Sequence, residues 1–180
     1  MTNAGTERAV IFRTEAREFV AAPPERVYDV VSDLPRSAEW SVECVGGQWV
    51  SGEPRTVGAV FRGENERAAD VVAWAPVVRG RWHTEAEVVA AERGRTFRWA
   101  MRTRAGERQD SVWGFDVLPA DGGSVLVHHF RMGAPTEGIR QITADMDEAA
   151  VRRFYADWGA KLERDLATTA ARVKAVIERG

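Results

Sequence analysis

The chain has 180 residues, with 25 Lys and Arg against 27 Asp and Glu, 44% hydrophobic residues and a single cysteine. Its length and composition suit one globular domain over residues 1–180, and the small negative net charge without a basic face argues against a nucleic-acid partner. One cysteine excludes an intramolecular disulfide, and the lack of a signal peptide or an apolar run of about 18 residues predicts a cytoplasmic protein without a membrane span.

The first forty residues predict one strand followed by two short helices. Residues 1–9 read as a loose start, and the polar–apolar mixture of Ile11–Val20 is typical of a half-exposed strand. Pro24 suits the first turn of a helix, which ends before Pro35. A second short helix is predicted over Arg36–Trp40.

Six strand-like segments follow, and most are separated by short turns rich in Gly, Pro and polar residues. Consecutive strands with short connections predict an antiparallel meander. The interval 66–80 is too long for a tight hairpin and too apolar for a solvated loop, so it is either a flap over a pocket or a short helix packed on an edge. The six segments are Val42–Val50, Val57–Asn65, Arg81–Ala91, Arg95–Thr103, Ser111–Leu118 and Ser124–Met132.

The last quarter of the chain changes period. Apolar residues recur every four positions from Met146 to Leu166, which places them in one stripe along a helix predicted over residues 145–178. Such a helix is about 50 Å long at 1.5 Å per residue, more than the width of a small sheet. We therefore expect a bend near Gly159 or an overhanging end, and the overhang offers a surface for a homodimer.

These elements predict an α+β helix-grip fold. A curved antiparallel sheet of about seven strands, within residues 10–132, wraps around the long C-terminal helix, and two short helices follow the first strand. A strongly bent sheet leaves a cavity above one straight helix unless bulky side chains close the gap.

Four short motifs occur in the order that is usual in one protein family. They are Ala-Pro-Pro-Glu-x-Val at Ala22–Val27, Trp-Ser-x-Glu at Trp40–Glu43, Val-Gly-Ala-x-Phe-x-Gly-x-Asn at Val57–Asn65, and Asp-Gly-Gly-Ser at Asp121–Ser124. In these motifs the chain resembles the SRPBCC superfamily of START-like and Bet v 1-like helix-grip proteins, and most of all its polyketide cyclase/dehydrase branch. The chain departs from the branch at Val42, where relatives have proline, in the interval 66–80, and in extra length before the last helix.

The resemblance implies a function in secondary metabolism. A relative of this branch binds a hydrophobic, aromatic or polyketide-like small molecule and promotes its cyclisation or dehydration as a lyase-like enzyme that needs no cofactor. Two alternatives stay open, because the superfamily places several functions on one scaffold. One is a non-catalytic carrier or sensor of a lipid or another small molecule, and the other is a protein-interaction module.

Large aromatic side chains alternate with polar ones along the predicted strands, which directs the rings to one face of the sheet. For any single ring, packing in a solid core is the ordinary explanation. So many rings opposite one helical stripe instead favour a pocket for a flat or apolar ligand. The candidate ligand-binding residues are Trp40, Phe61, Asn65, Trp82, Trp99, Trp113, Phe115, Phe130, Phe154 and Trp158.

His128 and Glu43 are the candidate catalytic residues. His128 shares the inward row of its strand and suits a proton shuttle near neutral pH, although a buried neutral histidine bonded to a backbone carbonyl is an equal alternative. Glu43 suits an acid or base if the pocket mouth desolvates it, or else an anchor between helix and strand. His83 and His129 fall on the opposite faces of their strands, so no metal site is predicted.

Overall fold

A computed structural model describes residues 10–180, and the loose start expected at residues 1–9 lies outside the described residues. Within residues 10–180 the chain forms seven strands, three α-helices and one 3₁₀ helix. The strands are β1 (Phe12–Val20), β2 (Cys44–Ser51), β3 (Val60–Arg67), β4 (Gly80–Glu92), β5 (Thr96–Arg102), β6 (Arg108–Ala120) and β7 (Gly123–Met132). The α-helices are α1 (Pro24–Val31), α2 (Glu137–Thr143) and α3 (Glu148–Arg179), and the 3₁₀ helix covers Leu34–Glu39.

All seven strands form one antiparallel sheet in the order β1-β7-β6-β5-β4-β3-β2. The strands β2 to β7 are a meander, and α1 with the 3₁₀ helix carries the chain from one edge of the sheet to the other. The long helix α3 packs against β1 and β7. The predicted α+β helix-grip fold is confirmed.

The glycine pair in β2 bends this edge strand. Gly46 and Gly47 have φ angles of +123° and +149°, and the pairing with β3 shifts register between Cys44 and Gly46. A Cβ atom on Gly47 would lie 2.2 Å from the carbonyl oxygen of Arg62. Only glycine therefore fits this bulge, which turns the start of β2 toward the 3₁₀ helix.

The helix α3 runs unbroken over 32 residues and is held at its C-terminal end. The Arg26 side chain donates to the Ile177 carbonyl at 2.9 Å, and Glu178 accepts from the Ala21 amide at 2.9 Å. Ile177 is buried. The expected overhang is therefore absent from this end, because α1 and the end of β1 cover it.

The segment before α3 contains α2, a helix that the sequence did not predict. The Thr136 hydroxyl accepts from the Ile139 amide at 3.3 Å and caps its first turn. Ile139 is buried and joins the apolar cluster that includes Phe130, Phe154 and Leu162. The Glu137 amide also donates to the Gln109 side chain at 2.6 Å, so contacts with the sheet add to the cap in holding this short helix.

Among residues 10–180, no helix has the length and apolar character needed to cross a membrane.

Candidate functional site

A cavity of about 450 Å³ lies between the concave face of the sheet and α3. Residues of α2 and of the irregular segment 68–79 complete its wall. The interval 66–80 and the extra length before the last helix, where the chain departs from the family motifs, therefore both contribute to the cavity. Five of the seven tryptophans of the chain lie on the wall. With two phenylalanines, they give the wall seven large aromatic side chains. These rings belong to Trp40, Phe61, Trp82, Trp99, Trp113, Phe130 and Trp158.

Ten of the twelve candidate site residues line this cavity. Besides the seven rings, they are Asn65, Glu43 and His128. The other two, Phe115 and Phe154, are fully buried behind the wall. Phe115 stacks on the His128 ring at 4.2 Å between centroids, and Phe154 stacks on Trp158 at 5.6 Å. They support wall residues and do not face the cavity.

His128 presents a hydrogen-bond acceptor to the cavity. Its Nδ1 lies 3.0 Å from the Gly114 carbonyl oxygen, and because a carbonyl only accepts, Nδ1 carries the hydrogen. Burial lowers the pKa of His128 to about 4, despite the opposing effect of the Gly114 bond. The ring is therefore neutral near pH 7 and its Nε2 holds a lone pair. Within residues 10–180, Nε2 has no protein hydrogen-bond partner.

Glu43 lies just before β2 and is an ionised carboxylate. Its two oxygens accept from Nε and Nη2 of Arg67 at 2.7 and 2.9 Å, and Lys161 Nζ lies 2.8 Å from one of them. Burial acts to raise the pKa of Glu43, but the bonds and charges of Arg67 and Lys161 outweigh it and hold the pKa below its ordinary value. Glu43 thus serves as an acceptor that fixes two cations.

Lys161 also pairs with Asp165 on the next turn of α3. We call Glu43, Arg67, Lys161 and Asp165 the charge quartet. All four line the cavity, and the side chains of Arg67 and Lys161 are only 8% and 7% exposed. The Arg67 guanidinium also stacks over Trp82 at 4.4 Å, so one polar end of the cavity is framed by indole rings.

Arg67, Lys161 and Asp165 were missed as site residues, although the sequence held a signal for each. Arg67 continues the inward row of Phe61 and Asn65 at a spacing of two. Lys161 and Asp165 lie three and seven positions after Trp158, which places them on the same face of a helix.

The other polar candidates stay outside the site or play a passive part. His83 is exposed, and His129 lies on the convex face, where its Nε2 is 3.4 Å from Asp116. Cys44 lies on the cavity wall, where its Sγ accepts from the Ser37 hydroxyl at 3.0 Å. In the described part of the chain, no three His, Cys, Asp or Glu side chains are grouped so as to hold a metal ion.

The segment 68–79 contains neither helix nor strand, which excludes the edge helix considered for it. In place of backbone hydrogen bonds of a helix or strand, the Arg79 guanidinium donates to four backbone carbonyls of the segment within 3.1 Å. These belong to Ala69, Val72, Ala75 and Val77. Trp74 attaches the segment to α3 by donating to Asp157 at 2.8 Å. Pro76 and Val78 of this ordered segment line the cavity.

The sequence profile of the family described as "Polyketide cyclase / dehydrase and lipid transport" matches residues 12–178. No curated protein matches the chain.

Several solved structures share the fold. A Polyketide_cyc-like protein from Corynebacterium glutamicum is 24% identical, with a TM-score of 0.63, over 94% of this chain and 92% of that one. StfQ, a di-domain ARO/CYC protein from the steffimycin biosynthetic pathway, is 13% identical with a TM-score of 0.67; the match covers 96% of this chain and 52% of StfQ. Ara h 8.0201 is 10% identical with a TM-score of 0.57, over 94% and 99% of the two chains.

Proposed function

Since the chain belongs to the polyketide cyclase / dehydrase and lipid transport family, we propose that it binds a hydrophobic, ring-bearing small molecule in the cavity as a polyketide cyclase/dehydrase-like protein. The observation that carries this proposal is the aromatic wall around about 450 Å³ of space, with charged groups restricted to the charge quartet. Ligand pockets of proteins commonly have volumes of about 300–1,000 Å³, apolar walls and a few fixed polar groups.

The wall favours a flat ligand over a flexible acyl chain. Indole and phenyl rings attract flat π-systems in offset or edge-to-face geometry, which adds to the gain from burial. Phe115 and Phe154 hold His128 and Trp158 from behind, so these two wall residues are fixed before a ligand arrives. Preformed walls lose little conformational entropy on binding. StfQ, a neighbour in fold, is an ARO/CYC protein of a biosynthetic pathway, which fits this proposal.

The proposed reaction is the cyclisation or dehydration of a carbonyl-bearing ligand, without a cofactor. The shape of the cavity would hold this ligand in a reactive conformer. The free N–H groups of Arg67 and Lys161 would donate hydrogen bonds to a carbonyl oxygen of the ligand and polarise it, and Glu43 keeps both cations in position. His128 Nε2 would accept a hydrogen bond or a proton from the reacting group.

One observation favours the second candidate, a non-catalytic carrier or sensor. A histidine with a pKa of about 4 is a weak base near neutral pH, because catalysis is best served by a pKa near the working pH. A carrier needs only the neutral acceptor and the aromatic wall, both of which the cavity supplies.

Binding is tested by titrating the protein with 2-methylanthraquinone, an uncharged flat tricycle, and following the quenching of tryptophan fluorescence. We expect saturable binding with one ligand per chain. Ala86 faces the cavity and Val45 is exposed at 40%, so Ala86→Phe should abolish binding and the matched control Val45→Phe should leave it intact. No quenching, or equal quenching of both variants, contradicts the proposal.

The variants His128→Gln and Glu43→Gln distinguish a catalytic function from that of a non-catalytic carrier. If the protein is a cyclase, the variants retain the ligand and lose turnover of a poly-β-ketone substrate, measured by mass spectrometry of the product. If it is a carrier, wild-type protein binds the poly-β-ketone and releases it unchanged.

A further inference from the structure

The charge quartet at the polar end of the cavity has no net charge. Two cations, Arg67 and Lys161, face two carboxylates, Glu43 and Asp165, and each carboxylate contacts a cation directly. A cationic pair in an apolar cavity would attract an acidic ligand such as a fatty acid. Here both cations are already neutralised by residues of the chain itself.

The donors of these cations are also largely occupied. Arg67 uses Nε and Nη2 for Glu43, and its Nη1 donates to the Val78 carbonyl at 2.8 Å. Lys161 donates to Glu43 and to Asp165, which leaves one of its three hydrogens for a ligand. Arg67 has five N–H donors, and its three bonds leave two of them free. The polar end therefore offers three N–H donors beside its carboxylate oxygens, and the negative charges of these carboxylates make it a poor match for an anion.

We infer that the charge quartet restricts the cavity to uncharged ligands and that Asp165 is the residue that enforces this selectivity. This inference rests on the proposed function of the cavity. An entering carboxylate would add an unpaired negative charge to a balanced and mostly buried set of charges, which is unfavourable where water is largely excluded. A carbonyl or hydroxyl oxygen instead leaves the charge balance unchanged and accepts the free hydrogen of Lys161.

Asp165 is the selective element because it pairs with Lys161 alone, whereas Glu43 also holds Arg67. Replacing Asp165 with asparagine removes one negative charge and keeps the shape of the side chain. The quartet then carries a net positive charge beside the cavity, and a ligand carboxylate can take the place of the missing charge.

The test compares two probes of nearly equal size, uncharged 2-(hydroxymethyl)anthraquinone and anionic anthraquinone-2-carboxylate, by tryptophan quenching at about pH 7, where a carboxyl group is ionised. For the wild type we expect the anion to bind at least about tenfold more weakly, a difference of about 1.4 kcal/mol. In Asp165→Asn the preference should fall by about tenfold or reverse. Glu163→Gln, an exposed position on the same helix with the same change of charge, should keep the wild-type preference.

Equal or tighter binding of the anion to the wild type overturns the inference while the proposed binding function stands. An unchanged preference in Asp165→Asn overturns the role of Asp165. If neither probe binds, and 2-methylanthraquinone does not bind either, the proposed function fails and the inference fails with it.

Discussion

Lys161→Met should destabilise the protein by leaving Asp165 without a cation. Removing one partner of a fully buried ion pair costs about 3–5 kcal/mol. The Asp165 side chain keeps 22% of its exposure, and Glu43 retains Arg67, so we expect a smaller loss of about 1–3 kcal/mol. For a chain of this size, that corresponds to a decrease in Tm of about 2–12 °C.

A second substitution identifies the cause. Adding Asp165→Asn to Lys161→Met removes the stranded carboxylate, so the double variant should regain about 1 kcal/mol or more relative to the single one. Lys174, the only other lysine of the chain, provides a matched control. It pairs with Glu18 at 3.2 Å and is 34% exposed, so Lys174→Met should cost less than about 1 kcal/mol.

The free energy of unfolding is measured by urea titration, with tryptophan fluorescence and circular dichroism as two probes. A Lys161→Met variant that matches the wild type within about 0.5 kcal/mol would refute the reasoning. So would a double variant no more stable than the single one, because the loss would then come from packing and not from an unpaired charge.

Three further predictions test individual residues. Because the pKa of His128 is depressed to about 4, the chain takes up a proton on unfolding below about pH 6.5, and its stability decreases as the pH is lowered. His128→Gln should remove about 2 kcal/mol of the loss of stability between pH 7 and pH 5. An unchanged loss in urea titrations would contradict this. Arg79→Met should raise hydrogen–deuterium exchange in segment 68–79 about tenfold or more, whereas Arg81→Met, at an exposed arginine, should not; equal protection in both would exclude the carbonyl-binding role. Gly47→Ala should cost more than about 2 kcal/mol of stability, because the backbone strain and the clash with the Arg62 carbonyl both contribute. Gly58→Ala, at a φ of +90° with open space around it, measures the strain alone. An equal cost of the two substitutions would show that the clash contributes nothing.

The strands and their inward faces could be predicted because one-sided burial imposes a period of two. In β7 the predicted inward row of Leu126, His128, Phe130 and Met132 is buried. The stripe of α3 was equally clear, and its predicted start at residue 145 lies three residues before the observed one. Long periodic segments repeat the same signal many times, so single deviations matter little.

The polar end of the cavity could not be assembled from the sequence. Glu43, Arg67 and Lys161 are far apart along the chain, and only the closing of the sheet onto α3 brings them within 3 Å. The helix α2 was missed because seven residues show no clear periodicity, and its stability depends on the Thr136 cap and on the burial of Ile139. Such features depend on tertiary contacts and not on local propensity.

The fixation of segment 68–79 by Arg79 has a consequence for changing the specificity of the protein. The guanidinium donates to main-chain carbonyl oxygens, which are present in every amino acid residue. The bonds of Arg79 therefore do not depend on which side chains stand in the loop, although Trp74 adds an attachment of its own to α3. Pro76 and Val78 line the cavity from this loop, so substitutions at these two positions offer a direct way to change the shape of the cavity.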